Sequence, residues 1–146
     1  RPDQKKYHST IQWLAFASNA FNVLAPFYAD VDETPDYLSN TTAEVSTDNL
    51  YWCSRMIAAM ADASYRTSIF HIERYQENVM AKGHALINEY DELLEQEQDP
   101  AKQMKLKAEA NQKIAEMLKK ETASTLNKVL YELSNQMKNA YSRSDA

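Results

Sequence analysis

Apolar residues follow two different rhythms along this chain. From position 10 to 29 they are dense and read with a period of two. Ile11, Trp13, Ala15 and Ala17 share one side, and Leu14 and Phe16 lie with Gln12 and Ser18 on the other. A second run, Val23-Leu24-Ala25-Pro26-Phe27-Tyr28, follows Ser18-Asn19-Ala20. The alternation and the Trp, Phe and Val content predict two antiparallel strands joined by a short turn, with Asn19 tolerating the turn backbone. A buried helix is the competing reading. The first strand is largely apolar on both faces, which predicts cover on two sides. Pro26 cannot donate to a ladder and predicts an edge or a bulge. Residues 30–47 are polar and lack a clear period, which predicts a surface connection.

After Ser46-Thr47-Asp48-Asn49 the rhythm becomes helical, and these side chains can accept from free first-turn N–H groups. Ile69, Ile72, Val79, Leu86, Tyr90 and Leu93 recur at spacings of three, four or seven, widened by Met80, Ile87 and Leu94. That pattern predicts a core-facing helix of the bundle type. Asp99-Pro100 is a helix start, with Asp as N-cap and Pro at the first helical position. The following stripe runs through Ala115, Leu118, Thr122, Leu126, Val129, Leu133, Met137 and Ala140. The fold class expected is therefore α+β and predominantly α-helical. A β-hairpin region (1–29) and a connecting loop (30–47) lead into a long helix (48–98) and a second one (99–142), which form an antiparallel helical hairpin turning near Gln98, all within one unit of 1–146. An unbroken helix over 47–97 would be about 75 Å long at 1.5 Å per residue, against a radius of gyration of roughly 15 Å for a domain of this size. A break at Ser64–Ser68 together with a protruding arm reconciles the two.

Composition narrows the function classes. The single glycine, Gly83, excludes a Walker loop and a G-x-G-x-x-G turn, so no phosphate or dinucleotide cofactor is expected. The net charge of −5 argues against nucleic acid as a partner. Lys102, Lys105, Lys107, Lys113, Lys119 and Lys120 are interleaved with Glu109, Glu116 and Glu121, the pattern of a solvated helix face with local ion pairs. No apolar run approaches the roughly 20 residues that span a bilayer. One cysteine, Cys53, permits no internal disulfide and fits a reducing, cytoplasmic compartment. The chain opens Arg1-Pro2 without a methionine, as an excised piece or processed product would. Asn40-Thr41-Thr42 matches a glycosylation acceptor, a short motif common by chance, and nothing else points to secretion.

Candidate chemistry is sparse. His8, His71 and His84 form no H-E-x-x-H and no i, i+4 pair, so no metal site is expected. Cys53 has no histidine at helical contact spacing and reads as a buried structural thiol. Asp91-Glu92 and Glu95-Gln96-Glu97 read as solvated helix surface. Tyr51-Trp52, Tyr65 and Tyr75 could line a pocket, but aromatic sets at helical spacing are more often core.

An ordered set of segments does carry a resemblance. Gln12-Trp13-Leu14-Ala15-Phe16, Val23 to Ala29, Thr34-Pro35-Asp36-Tyr37, Asp48-Asn49-Leu50-Tyr51-Trp52 and Arg55 to Asp62 occur in that order. Over roughly residues 1–95 the chain resembles the carboxy-terminal part of the dipeptidase A family of bacterial cysteine dipeptidases, N-terminal-nucleophile hydrolases related to the choloylglycine hydrolases and secernins. The resemblance implies a parent that hydrolyses short peptides by acyl transfer to the amino-terminal cysteine of the mature enzyme, with that residue's own amine as base. Arg1 stands at this amino terminus and the amine of Cys53 is locked in a peptide bond, so no catalytic residue carries over: the catalytic site residues expected within this chain are none. The hairpin would belong to the αββα sandwich of the parent, and the rest of the dipeptidase would be the partner. A helical interaction module without chemistry is the alternative. Self-association through 10–28 is also expected, either as a homodimer burying Trp13, Phe16 and Phe27 or replaced by helices folded back over the hairpin.

Overall fold

A computed structural model describes residues 10–16, 21, 23–39 and 42–145, with side chains described as far as residue 140 and excluding that of Phe16. Strand β1 (Ile11–Phe16) pairs antiparallel with β2 (Val23–Tyr28), and helices α1 (Asp36–Ser39), α2 (Leu50–Ala63), α3 (Tyr65–Gln96) and α4 (Pro100–Asp145) follow. This is the expected α+β, mostly helical architecture, with α3 and α4 as the antiparallel hairpin. The turn read at Ser18-Asn19-Ala20, the acceptor at Asn40-Thr41 and His8 lie outside the described residues.

The helix boundaries have local causes. Asn49 caps α2, its Oδ1 accepting from the Trp52 N–H at 2.9 Å. Asp99 caps α4 by accepting from the Ala101 N–H at 3.1 Å, with Pro100 in the first helical position. The chain breaks between α2 and α3 at one residue, Ser64, whose φ of −125° and ψ of 41° leave the helical basin. Its hydroxyl bonds back to the Met60 carbonyl at 2.8 Å and to Ser68 at 2.7 Å, holding the corner closed. The connection 30–47 also contains the one-turn α1, placed by Leu38 and Ser39 N–H groups bonding to the Pro35 carbonyl.

The two strands have different surroundings. Val23, Ala25, Phe27 and Tyr28 are buried beneath the helices, whereas Gln12 to Ala15 of β1 are exposed. The two-sided cover expected for the first strand belongs instead to the second. Phe27 is 5% exposed and so cannot serve a homodimer; the helices fold back over β2. Ala29 N–H bonds to Thr10 O, so the ladder bonds join 10 to 29, 12 to 27 and 14 to 25. Pro26, opposite Trp13, therefore sits where its missing N–H faces away from β1.

The buried row of α3 is Ile72, Tyr75, Val79, Gly83, Ile87, Tyr90 and Leu94. It is rotated from the expected stripe: Leu93 and Met80 are exposed and Leu86 is half-buried at the rim of the core. The stripe of α4 is buried at Ala115, Leu118, Thr122 and Val129 and half-buried at Leu126, but Met137 and Ala140 lie on an exposed end that extends beyond α3.

Gly83 marks the closest approach of strand to helix. A Cβ there would stand 2.6 Å from Pro26 Cδ and 3.1 Å from Pro26 Cγ, atoms of a rigid ring. Gly→Ala inside a helix ordinarily stabilises by about 1 kcal/mol. Overpacking costs typically about 1–3 kcal/mol. Gly83→Ala is thus expected to destabilise by about 1 kcal/mol in urea melts; a gain in stability would show that β2 yields freely.

Candidate functional site

A set of buried polar groups lies where α1, α2, α3 and α4 meet. Tyr37, Cys53, Tyr75 and Thr122 are each at most 7% exposed. The Tyr75 hydroxyl shares a 2.9 Å hydrogen bond with Thr122 Oγ1. Cys53 Sγ donates to the Thr47 carbonyl at 3.4 Å, which fixes the thiol at the start of α2. Tyr37 closes the cluster from α1, with Lys119 Nζ 6.0 Å from its ring centroid, and its hydroxyl has no hydrogen-bond partner among the described residues.

Burial sets the electrostatics of this cluster. It raises the Tyr37 phenol well above its usual range and pushes Tyr75 up to about 12. Burial also raises the Cys53 thiol, with the nearby Tyr37 hydroxyl acting the other way and the Asp48 charge adding to the rise. A thiol shifted upward is a poor thiolate source at neutral pH. Neither histidine among the described residues is committed to it: His71 Nε2 pairs with Glu132 Oε1 at 3.1 Å, and the His84 ring lies 4.8 Å from that of Trp13. The thiol is buried, as expected for Cys53.

The remaining candidates disperse. Tyr51 and Tyr65 are exposed, Tyr75 is core, and the Trp52 indole donates to the Thr42 carbonyl at 2.8 Å, so these aromatics line no common pocket. Asp91, read as solvated surface, accepts from the Tyr28 hydroxyl at 2.7 Å and ties α3 to β2. Lys107, read as part of a solvated face, is buried and pairs with Asp30 at 2.7 Å, 77 residues away. The Tyr90 phenol is raised by burial and by donation to Glu109 Oε2 at 2.8 Å. Among the described residues no group of three His, Cys, Asp or Glu side chains is placed to hold a metal ion, and no helix is long and apolar enough to cross a membrane.

Asn111 of α4 went unnoticed in the sequence. Its Oδ1 accepts from the Tyr28 N–H at 2.8 Å and its Nδ2 donates to the Tyr28 carbonyl at 3.0 Å. The carboxamide thus imitates a neighbouring strand along the outer side of β2. A single asparagine within a helical stripe gives no signal of this, because its partner is backbone 83 residues distant.

Peptidase family C69 matches over residues 1–78, which takes in both strands, α1, α2 and the first turns of α3. The probable dipeptidase A of Streptococcus pyogenes serotype M3 (strain SSI-1) is 40% identical over 146 residues, covering 99% of this chain and 30% of that protein. The dipeptidase of Bifidobacterium longum (strain NCC 2705) is 35% identical over 182 residues, covering 99% of this chain and 34% of that protein. Dipeptidase A of Lactobacillus helveticus is 30% identical over 122 residues, covering 84% and 25%. The chain spans about 30% of the length of the curated relatives it matches. With more than half of its residues inside the family match, the chain belongs to peptidase family C69.

Proposed function

We propose that this chain is the carboxy-terminal portion of a dipeptidase that hydrolyses short peptides through an N-terminal cysteine nucleophile outside residues 1–146. The observation that carries the reading is the match to dipeptidases across 99% of the chain but only about 30% of their length, combined with a Cys53 that is buried, raised in pKa and hydrogen-bonded to the Thr47 carbonyl rather than to a base among the described residues. Within such an enzyme the helices stabilise the hairpin, and the reacting groups come from the rest of the polypeptide. The reading extends to a cytoplasmic location, supported by the single unpaired Cys53, and to a homo-oligomeric enzyme, supported by exposed Phe70, Leu130 and Tyr131.

Thiol alkylation of the full-length enzyme tests it. Alkylation is expected to abolish dipeptide hydrolysis in the parent enzyme and equally in its Cys53→Ser variant, because the essential thiol lies elsewhere. Hydrolysis that survives alkylation in both would overturn the reading.

A further inference from the structure

We infer that the α3–α4 corner is a contact between two copies of the dipeptidase, the acidic end of α3 in one copy lying on the basic start of α4 in the other. The inference rests on the proposed homo-oligomer for the second copy, and on the charges of the corner for its place.

The corner is tied by its own bonds. Gln103 Nε2 donates to the Glu97 carbonyl at 2.6 Å, and Glu97 Oε1 accepts from the Asp99 N–H at 3.1 Å. Together with the Asp99 cap these bonds hold the end of α3 beside the start of α4. Charge divides across that boundary. Glu89, Glu92 and Glu95 recur every three residues along the end of α3, and all are exposed. No Lys or Arg stands three or four positions from any of them. Lys102 and Lys105 open α4 and are exposed as well. Among the described residues none of these side chains takes part in an ion pair.

Each set has the sign that its own helix disfavours. Glu95 stands in the last turn of α3, at the negative end of the helix dipole, and that turn has no basic residue. Lys102 stands in the first turn of α4, at the positive end, and that turn has no acidic residue. Like charges three apart on α3 add their own repulsion. A partner of one sign relieves one half of the corner and is repelled by the other half. A second copy carries both signs. Turned about a two-fold axis, it sets its Lys102 and Lys105 against Glu92 and Glu95, and the exchange is reciprocal. Leu93, 42% exposed, and Met104, 40% exposed, lie about one turn from the corner and supply apolar contact area.

Sedimentation of the full-length enzyme at micromolar concentration reads this through charge reversal. Glu92→Lys with Glu95→Lys makes the corner basic throughout, and Lys102→Glu with Lys105→Glu makes it acidic throughout. Each pair is expected to raise the dissociation constant of the assembly at least about tenfold, because like charges then meet across the contact. Mixing the two variants, or placing all four substitutions in one chain, should return it to within about threefold of the parent, because opposite charges meet again. Circular dichroism equal to that of the parent separates dissociation from unfolding. An assembly whose mass ignores every reversal overturns the contact and leaves the homo-oligomer standing. Weakening that neither mixing nor the fourfold variant restores also overturns it, since the charges then serve another surface. A monomeric enzyme overturns the contact and the homo-oligomer together. An assembly that passes the reversal test but fails to cleave dipeptides refutes the dipeptidase reading and leaves the contact standing.

Discussion

Val79→Asp is expected to abolish cooperative folding of the helical hairpin, while Leu86→Asp leaves it folded. Val79 is 0% exposed in the middle of the α3 row that faces α4 and β2, and no cationic side chain belongs to that row. An unpaired carboxylate there costs several kcal/mol even after its pKa rises, a large part of the roughly 5–15 kcal/mol that holds a small domain together. Leu86 lies one helical position off the row, half-buried, where a carboxylate can turn to water. Its replacement should cost about 1–2 kcal/mol, mainly as lost apolar contact. Circular dichroism melts of the two variants check the rotation of α3. The reverse order of effects would place Leu86 in the core and put the helix in the wrong phase.

The second large effect is expected at a polar residue. Asn111→Ala removes the two hydrogen bonds that the carboxamide makes with the buried Tyr28 backbone. Each hydrogen bond lost from a buried group costs about 1–3 kcal/mol, so the substitution should destabilise by about 2–4 kcal/mol in urea unfolding. Asn111→Asp separates the hydrogen bonds from simple packing. It keeps the volume and the acceptor for the Tyr28 N–H, but sets a carboxylate oxygen against the Tyr28 carbonyl. It is expected to be no more stable than the alanine variant. An aspartate variant as stable as the parent would mean that Asn111 acts by shape alone.

The contrast between these residues shows where the sequence is readable. Strand alternation, the Asn49 cap and the Asp99-Pro100 start are local signals, and each corresponds to an element or boundary in the structure. The aliphatic spacing of α3 predicts a face rotated from the buried one because two members of the buried row, Tyr75 and Gly83, are not aliphatic. Tyr75 enters the core with its hydroxyl satisfied by Thr122, and Gly83 is there because Pro26 leaves no room for a side chain. Leu86, half-buried, and Leu93, exposed, lie roughly one residue off that row. Lys107, Asp91 and Asn111 look like helix surface because their partners, Asp30 and Tyr28, are 60 or more residues away in sequence. The exposure of β1 is likewise hidden in the sequence: its composition is that of an interior strand, whereas Gln12 to Ala15 are exposed. For the site, the burial of Cys53 is legible from its place inside an apolar helical turn. The Tyr37 hydroxyl beside it is not, since α1 reaches the cluster only through the tertiary fold.

Dipeptide hydrolysis by the purified 146-residue chain, measured beside the full-length enzyme with thiol reductant present, tests the central claim most directly. The account predicts turnover by the full-length enzyme and none by the chain alone, with Cys53→Ser leaving the full-length rate within about twofold of the parent, as befits a buried structural thiol. Turnover by the chain alone that Cys53→Ser abolishes would contradict it, and would make Cys53 the nucleophile.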